Sequence, residues 1–313
     1  MNKSAFITTI LVLLFALTAQ AQCLSSMNPV GGAENLLSLE KNALRTIVFY
    51  KGGGSNKYYS GNSLSDYKLI DRANYNFVSA MLGYGLSPKL TLEFETGYFI
   101  NKTQHYNTMP KMQLRGYGFS NLNFLLKYNF YANLVDRVYF SSAAGVKIPA
   151  SRKYQSVNHV ELPYQLQASQ GSFGLIVNSS FVKENSSQGL RYFATNRVEL
   201  NGSNQRDYIP GASVFTAIYV SKHLMFPWLK GDWTVILQLR NELRFRDVDA
   251  GNKNNSTGSC LFFAVPQINY VFNEKWNLSV MTDVPVYQYF NGTQLASAVN
   301  VSLVLSRTFN LLK

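Results

Sequence analysis

Charge is what this sequence has least of. Of its 313 residues, 15% are Asp, Glu, Lys or Arg, against about 25% in an ordinary soluble domain. Cysteine is nearly missing, with Cys23 and Cys260 alone, which excludes a disulfide-stapled mini-protein. The 9 prolines and 21 glycines have neither the density nor the period of collagen or of a low-complexity chain. Beyond the N-terminal segment, no stretch approaches the roughly 18 uninterrupted apolar residues of a membrane-crossing helix. Catalytic signatures are missing too: there is no G-x-S-x-G, no G-x-x-x-x-G-K-[ST] and no H-E-x-x-H. Acidic residues are scarce, 17 against 29 basic ones, for a net charge of +12. The basic residues are scattered rather than run together, a weak signal for nucleic acid, and no nucleic-acid partner is expected.

What fills the composition instead is aromatic: 21 Phe, 20 Tyr and 3 Trp. The chain starts with Met1-Asn2-Lys3, an apolar run over residues 7–17 and Ala19-Gln20-Ala21. That is a secretory signal peptide over residues 1–21, with cleavage expected after Ala21. Gln22 precedes Cys23 where a lipoprotein signal wants a small residue, so acylation is not expected. Export permits a disulfide, but pairing Cys23 with Cys260 would require the N-terminal tail to thread the molecule, and both are expected unpaired. Residues 22–42 read as a periplasmic tail or cap, with a small plug as the other reading.

From residue 43 onward the hydrophobic pattern has period two. Leu90, Leu92, Phe94 and Tyr98 alternate with Thr91, Glu93, Glu95 and Gly97. Leu122, Phe124, Leu126, Tyr128 and Phe130 oppose Asn121, Asn123, Lys127 and Asn129. Trp233, Val235, Leu237, Leu239 and Leu243 oppose Thr234, Gln238, Arg240, Glu242, Arg244 and Arg246. Successive side chains of a strand point to opposite faces, so these are strands with one apolar and one polar face. Twelve are predicted, at 43–51, 73–86, 89–101, 116–131, 136–148, 170–183, 188–201, 210–223, 232–247, 257–272, 275–290 and 296–311. Short turns alternate with longer loops, the plan of an all-β, antiparallel outer-membrane barrel spanning residues 43–313. Short turns are then periplasmic and long loops external. Trp228, Trp233, Trp276, Tyr128 and Tyr270 gather at the short-turn end and Tyr98 and Tyr287 at the other, as two aromatic girdles.

The exported start, the period-two strands and the Arg-bearing polar faces together resemble a family of outer-membrane transporter barrels. It includes the phenol-degradation meta-pathway barrel proteins, which are distantly similar to fatty-acid and aromatic-hydrocarbon channels. The resemblance covers most of residues 43–313, is architectural and carries no short motif. It implies bacterial outer-membrane localisation and transport, and names no substrate.

The lumen is expected to be lined by Arg191, Arg197, Arg240, Arg244 and Arg246 with Lys127 and Lys147, among Glu93, Glu95, Glu199, Glu242 and Asp283. Guanidinium groups in a pore lower the barrier for anions; alternatively, Arg and Glu tie opposite walls together and fill the interior. Pro266 and Pro285 fall inside neighbouring strands, where proline cannot donate to the ladder. They predict either a kink with a lateral gap or a pair of bulges. Asp247-Val248-Asp249-Ala250-Gly251-Asn252 has the composition of a weak Ca²⁺ loop, but such runs are usually solvated, and neither metal nor cofactor is expected. Three functions stay open. The first is a monomeric channel in outer-membrane lipid passing small apolar, aromatic or anionic solutes. The second is a non-transporting structural, adhesive or secretion-accessory barrel. The third is a lipase-type barrel enzyme. The last is weakest: such phospholipases place His and Ser two residues apart on one strand, and none of His105, His159 and His223 is followed by Ser at that spacing.

Overall fold

The computed structural model describes residues 38–311 apart from Met225, Pro227, Leu229, Lys230 and Glu274. The signal peptide, Cys23 and the tail up to Leu37 lie outside the described residues.

Twelve strands form the wall: β1 (Ala43–Ser55), β2 (Ile70–Ser87), β3 (Leu90–Tyr106), β4 (Asn121–Asn133), β5 (Val138–Pro149) and β6 (Gly174–Asn185), then β7 (Leu190–Asn201), β8 (Ser213–Leu224), β9 (Asp232–Arg244), β10 (Ser259–Phe272), β11 (Trp276–Leu295) and β12 (Asn300–Asn310). Each pairs antiparallel with its neighbours in sequence, and β12 returns to β1 from Ala43↔Asn310 to Gly52↔Val301, closing the sheet. In hydrocarbon every backbone donor and acceptor must be satisfied within the protein, and a closed ladder does this with no edge left. The expected strand number, closure and facing are all present.

The alternation sorts each strand into a wet and a greasy face. On β3, Thr91, Glu93 and Glu95 are buried while Leu92, Tyr98 and Ile100 are exposed. On β4, Lys127 is buried and Phe124, Leu126 and Tyr128 face out. Exposure of Leu, Val and Phe on a closed sheet, with the charges inside, inverts the usual soluble arrangement and presents a lipid-facing surface.

Several elements depart from expectation. β2 and β3 run to 18 and 17 residues. At roughly 3.3 Å per residue, these exceed what an apolar band of about 25 Å needs even when tilted, so this hairpin stands above the membrane. Its upper part pairs with a separate strand, Met112–Phe119. The expected single strand 116–131 is broken at Ser120, two residues after Gly118 with φ +120°. β9 stops at Arg244 rather than 247, because Asp247 turns inward to accept the backbone N–H of Gly211 at 2.6 Å. β11 continues to Leu295, where its end pairs with Tyr58–Gly61.

The two prolines sit at irregular points of the wall. Pro266 pairs with Leu237 of β9, but the β10–β11 ladder has no partner for Val265 or Pro266 and resumes at Gln267↔Met281. Pro285 pairs with Phe263, and Val286 is the extra residue of a bulge before Phe262↔Tyr287. On its other edge β11 leaves β12 above Asp283↔Asn300 and meets Tyr58–Gly61 only from Phe290 upward. Between these points the edge is bridged by Ser297 N–H donating to Gln288 Oε1 at 2.7 Å.

Candidate functional site

The interior of the barrel is crossed at mid-height by a belt of ion pairs. Arg197 on β7 reaches over the lumen to β3, where Nη1 and Nη2 donate to Glu95 Oε1 and Oε2 at 3.1 and 3.0 Å. Its Nε donates to Glu199 at 2.7 Å, and Lys147 lies 3.5 Å from the other oxygen of Glu199. Asn123 also donates to Glu95, at 3.1 Å. Lys127 and Glu93 lie 2.5 Å apart on adjacent strands. Across the barrel, Arg240 Nε donates to Glu242 at 2.7 Å and its Nη atoms hold both oxygens of Asp283, at 3.1 and 3.0 Å. Lys51 comes from β1 to the same carboxylate at 2.6 Å. The Arg240 guanidinium also rests on the Phe263 ring, 4.7 Å from its centroid.

Five cations (Lys51, Lys127, Lys147, Arg197, Arg240) thus face five carboxylates (Glu93, Glu95, Glu199, Glu242, Asp283), and the belt has no net charge. Most of these side chains are 5% exposed or less; Glu199 is the most open, at 17%. Away from water each charge is tolerated only because its partner and hydrogen bonds replace its hydration. On the periplasmic side, Val182, Phe193, Ala217, Tyr219 and Ile236 pack with Tyr139 into an apolar cluster. Leu39 is buried there too, its N–H donating to Thr91 Oγ1 at 2.9 Å.

The residues expected to line the lumen therefore divide. Arg197, Arg240, Glu242, Glu93 and Glu95 enter the belt. Arg244 lies higher, 3.2 Å from Asp247. Arg191 has inward parity but sits at the periplasmic rim, exposed and paired with Glu184 at 2.8 Å. Arg246 lies past the end of β9, exposed, donating to Asn255 at 2.9 Å. The run Arg240–Arg246 is not one row of pore cations, because the strand ends before its last member. Of the aromatic residues, Trp233 packs on Tyr270 (4.5 Å), Trp276 on Phe272 (6.3 Å) and Trp228 on Phe226 (5.4 Å). Tyr128 meets Phe130 at 4.9 Å. At the outer end Tyr98 meets Phe119 at 5.0 Å and Tyr287 meets Phe262 at 6.1 Å. Ser221 precedes His223 by two residues, and His223 Nδ1 lies 3.1 Å from Asp232. Ser221 Oγ, however, donates to the Arg191 carbonyl at 3.5 Å, and among the described residues no hydrogen bond joins it to His223. No group of three metal-ligating side chains occurs among the described residues.

Above the belt lies a chamber of about 560 Å³. Its roof is the loop between β5 and β6, residues 150–173, which dips into the barrel mouth and buries Leu162, Leu166 and Gln167. Gln167 knots the loop, its side chain bonding to Gln155 and Leu162. Lys102 Nζ anchors the knot by donating to the Gln167 carbonyl at 2.9 Å. Gly116 makes room for it: a Cβ there would stand 1.9 Å from the Leu166 carbonyl oxygen. Residues 150–173 show no hydrophobic period, so this inserted segment carries no sequence signal beyond its length. Beside it, Tyr208 Oη donates to Asp247 and its ring packs on Tyr164, 4.3 Å between centroids. Burial, together with the neighbouring carboxylate for Tyr208, raises the pKa of both phenols well above the ordinary tyrosine value.

No family model and no curated protein matches the sequence. Solved structures do. An outer-membrane channel from Pseudomonas putida F1 superposes with a TM-score of 0.71 at 12% identity, covering 91% of this chain and 100% of that one. The translocator domain of the autotransporter NalP from Neisseria meningitidis follows at 0.48 and 9%, covering 88% and 91%. A FadL homologue of Pseudomonas aeruginosa gives 0.39 and 7%, covering 87% and 91%. The first of these likenesses, together with the closed twelve-strand sheet, establishes the fold as that of a bacterial outer-membrane β-barrel.

Proposed function

We propose that the protein is an outer-membrane channel, acting as a single barrel in outer-membrane lipid, that passes small solutes passively. The observation that carries this reading is the outer chamber: a 560 Å³ space held open beneath external loops and floored by polar groups, within the roughly 300–1,000 Å³ typical of small-molecule sites. The belt is then the gate. Its neutrality removes the reason to expect anion preference, since no cation is left in excess to recruit one. Passage past the belt needs either its ion pairs to separate or a sideways exit. The stretch of β11 between Asp283 and Phe290, where the ladder to β12 is missing, supports the second route.

A non-transporting barrel is the competing reading, and the belt itself favours it, because Arg–carboxylate pairs join opposite walls. Conductance separates the two. Purified protein in planar bilayers is expected to show small conductance steps, with little selectivity between anions and cations. Arg197→Ser and Arg240→Ser are expected to enlarge the steps. No steps from any of the three proteins, and no solute uptake by proteoliposomes, would leave the non-transporting reading standing.

A further inference from the structure

Four charged side chains reach the outer chamber: Lys102, Glu199, Arg244 and Asp247. Each is answered from within the protein. Lys102 donates to the Gln167 carbonyl and lies 4.7 Å over the Phe99 ring. Glu199 is held by Arg197 and Lys147. Arg244 and Asp247 hold each other, and Asp247 also accepts from Gly211 and Tyr208. Two positive and two negative groups cancel. An ion entering this space would give up its water without meeting a net countercharge.

Neither does the chamber suit a pure hydrocarbon. Its surface interleaves amide side chains, among them Gln104, Gln165 and Gln294, with the rings of Tyr58, Tyr106 and Tyr164. Gln104 already accepts from Tyr106, and Gln294 already donates to the Gly258 and Asn291 carbonyls. Dry contact with an apolar solute would still strip water from the exposed Gln165 amide, at a cost of about 1–3 kcal/mol for a group left unpaired. A solute that offers a flat apolar face to the tyrosines and hydroxyls to the amides satisfies both kinds of surface. We propose that the outer chamber binds an uncharged, polyhydroxylated ring compound, with a saccharide of one or two rings as the class that fits. The proposal rests on the chamber being the solute site of the channel reading, and it names the chemistry that site selects.

The test measures binding apart from conduction. The full chain in phosphatidylcholine nanodiscs is titrated calorimetrically with cellobiose, glucuronate and benzoate. Cellobiose is expected to bind saturably, and the two anions at least about tenfold more weakly. Tyr164→Ala is expected to weaken cellobiose binding about tenfold through loss of the ring platform, while Tyr164→Phe keeps most of it. Heat-modifiable gel mobility checks that both variants still form barrels. Equal or tighter binding of benzoate or glucuronate, or no saturable binding of cellobiose, would overturn the proposal. Conductance without cellobiose binding would overturn it while leaving the channel intact. Cellobiose binding without conductance would uphold it and sink the channel.

Discussion

Lys51 and Asp283 meet at 2.6 Å across β12, although they lie 232 positions apart in the chain. Arg240 grips both oxygens of the same carboxylate from the far side of β10. One aspartate thus ties β1, β9 and β11 together over the seam where the sheet closes. Arg240→Met leaves Asp283 and Glu242 short of a countercharge in a buried setting. It is expected to cost about 3–5 kcal/mol, the usual penalty for removing one member of a buried pair. Urea unfolding in lipid vesicles, followed through Trp233 and Trp276 fluorescence, measures it. A loss under 1 kcal/mol would mean that water already reaches the site.

The Arg197–Glu95 fork depends on planar, two-pronged geometry. Arg197→Lys keeps the charge but offers a single ammonium where Glu95 and Glu199 now receive three donors. Its expected loss is about 2 kcal/mol, and Glu95→Gln in the same background should cost much less than in the native protein. Additive losses in the double-mutant cycle would show that the fork contributes no coupling.

Gly116, on the strand Met112–Phe119, sits where the inserted loop packs against it. A side chain there must displace the Leu166 backbone, so Gly116→Val is expected to lift the loop without altering the barrel. Protease cleavage within 150–173 should then rise several-fold, with gel mobility unchanged. Cleavage no faster than in the native protein would show that the wall, and not the loop, gives way.

The external Tyr208–Asp247 contact predicts an alkaline transition. Because the folded phenol holds its proton above the unfolded value of about 10, it favours folding most fully below that pH. The contribution fades as pH rises through the raised folded value. Spectrophotometric titration should find Tyr208 ionising late, and Asp247→Asn should bring it earlier by removing the carboxylate that opposes ionisation. No change in the titration curve with that substitution would count against the contact.

What the sequence discloses here follows from period two. Leu92, Phe94 and Phe124 announce their strands because every second residue faces lipid, and the same alternation assigns Glu93, Glu95, Lys127 and Arg240 to the interior. Partner choice is not encoded locally. Glu95 and Arg197 lie 102 residues apart, and only closure of the sheet sets β3 opposite β7. Lys51 escapes notice because Gly52-Gly53-Gly54 follows it and interrupts the apolar row. Arg246 misleads because parity continues past Arg244 although the strand does not, Asp247 having been drawn inward. The chamber roof is invisible for a simpler reason: a loop that dips into a barrel is held by Gly116, Lys102 and its own Gln167, none of which forms a pattern.

Closure through β12 and β1 also constrains how the molecule is made. The pairing from Ala43↔Asn310 to Gly52↔Val301 joins residues at opposite extremes of the described chain. This ladder cannot begin to zip until nearly everything between them has been synthesised, and such distant pairings nucleate slowly. Until then, two raw edges stay open and Lys51 waits for Asp283 across the seam. A chain cut short before Asn300 would keep Lys51 and Arg240 yet hold both rims of the sheet apart, exposing a sticky border that quality-control proteases can read as unfinished work.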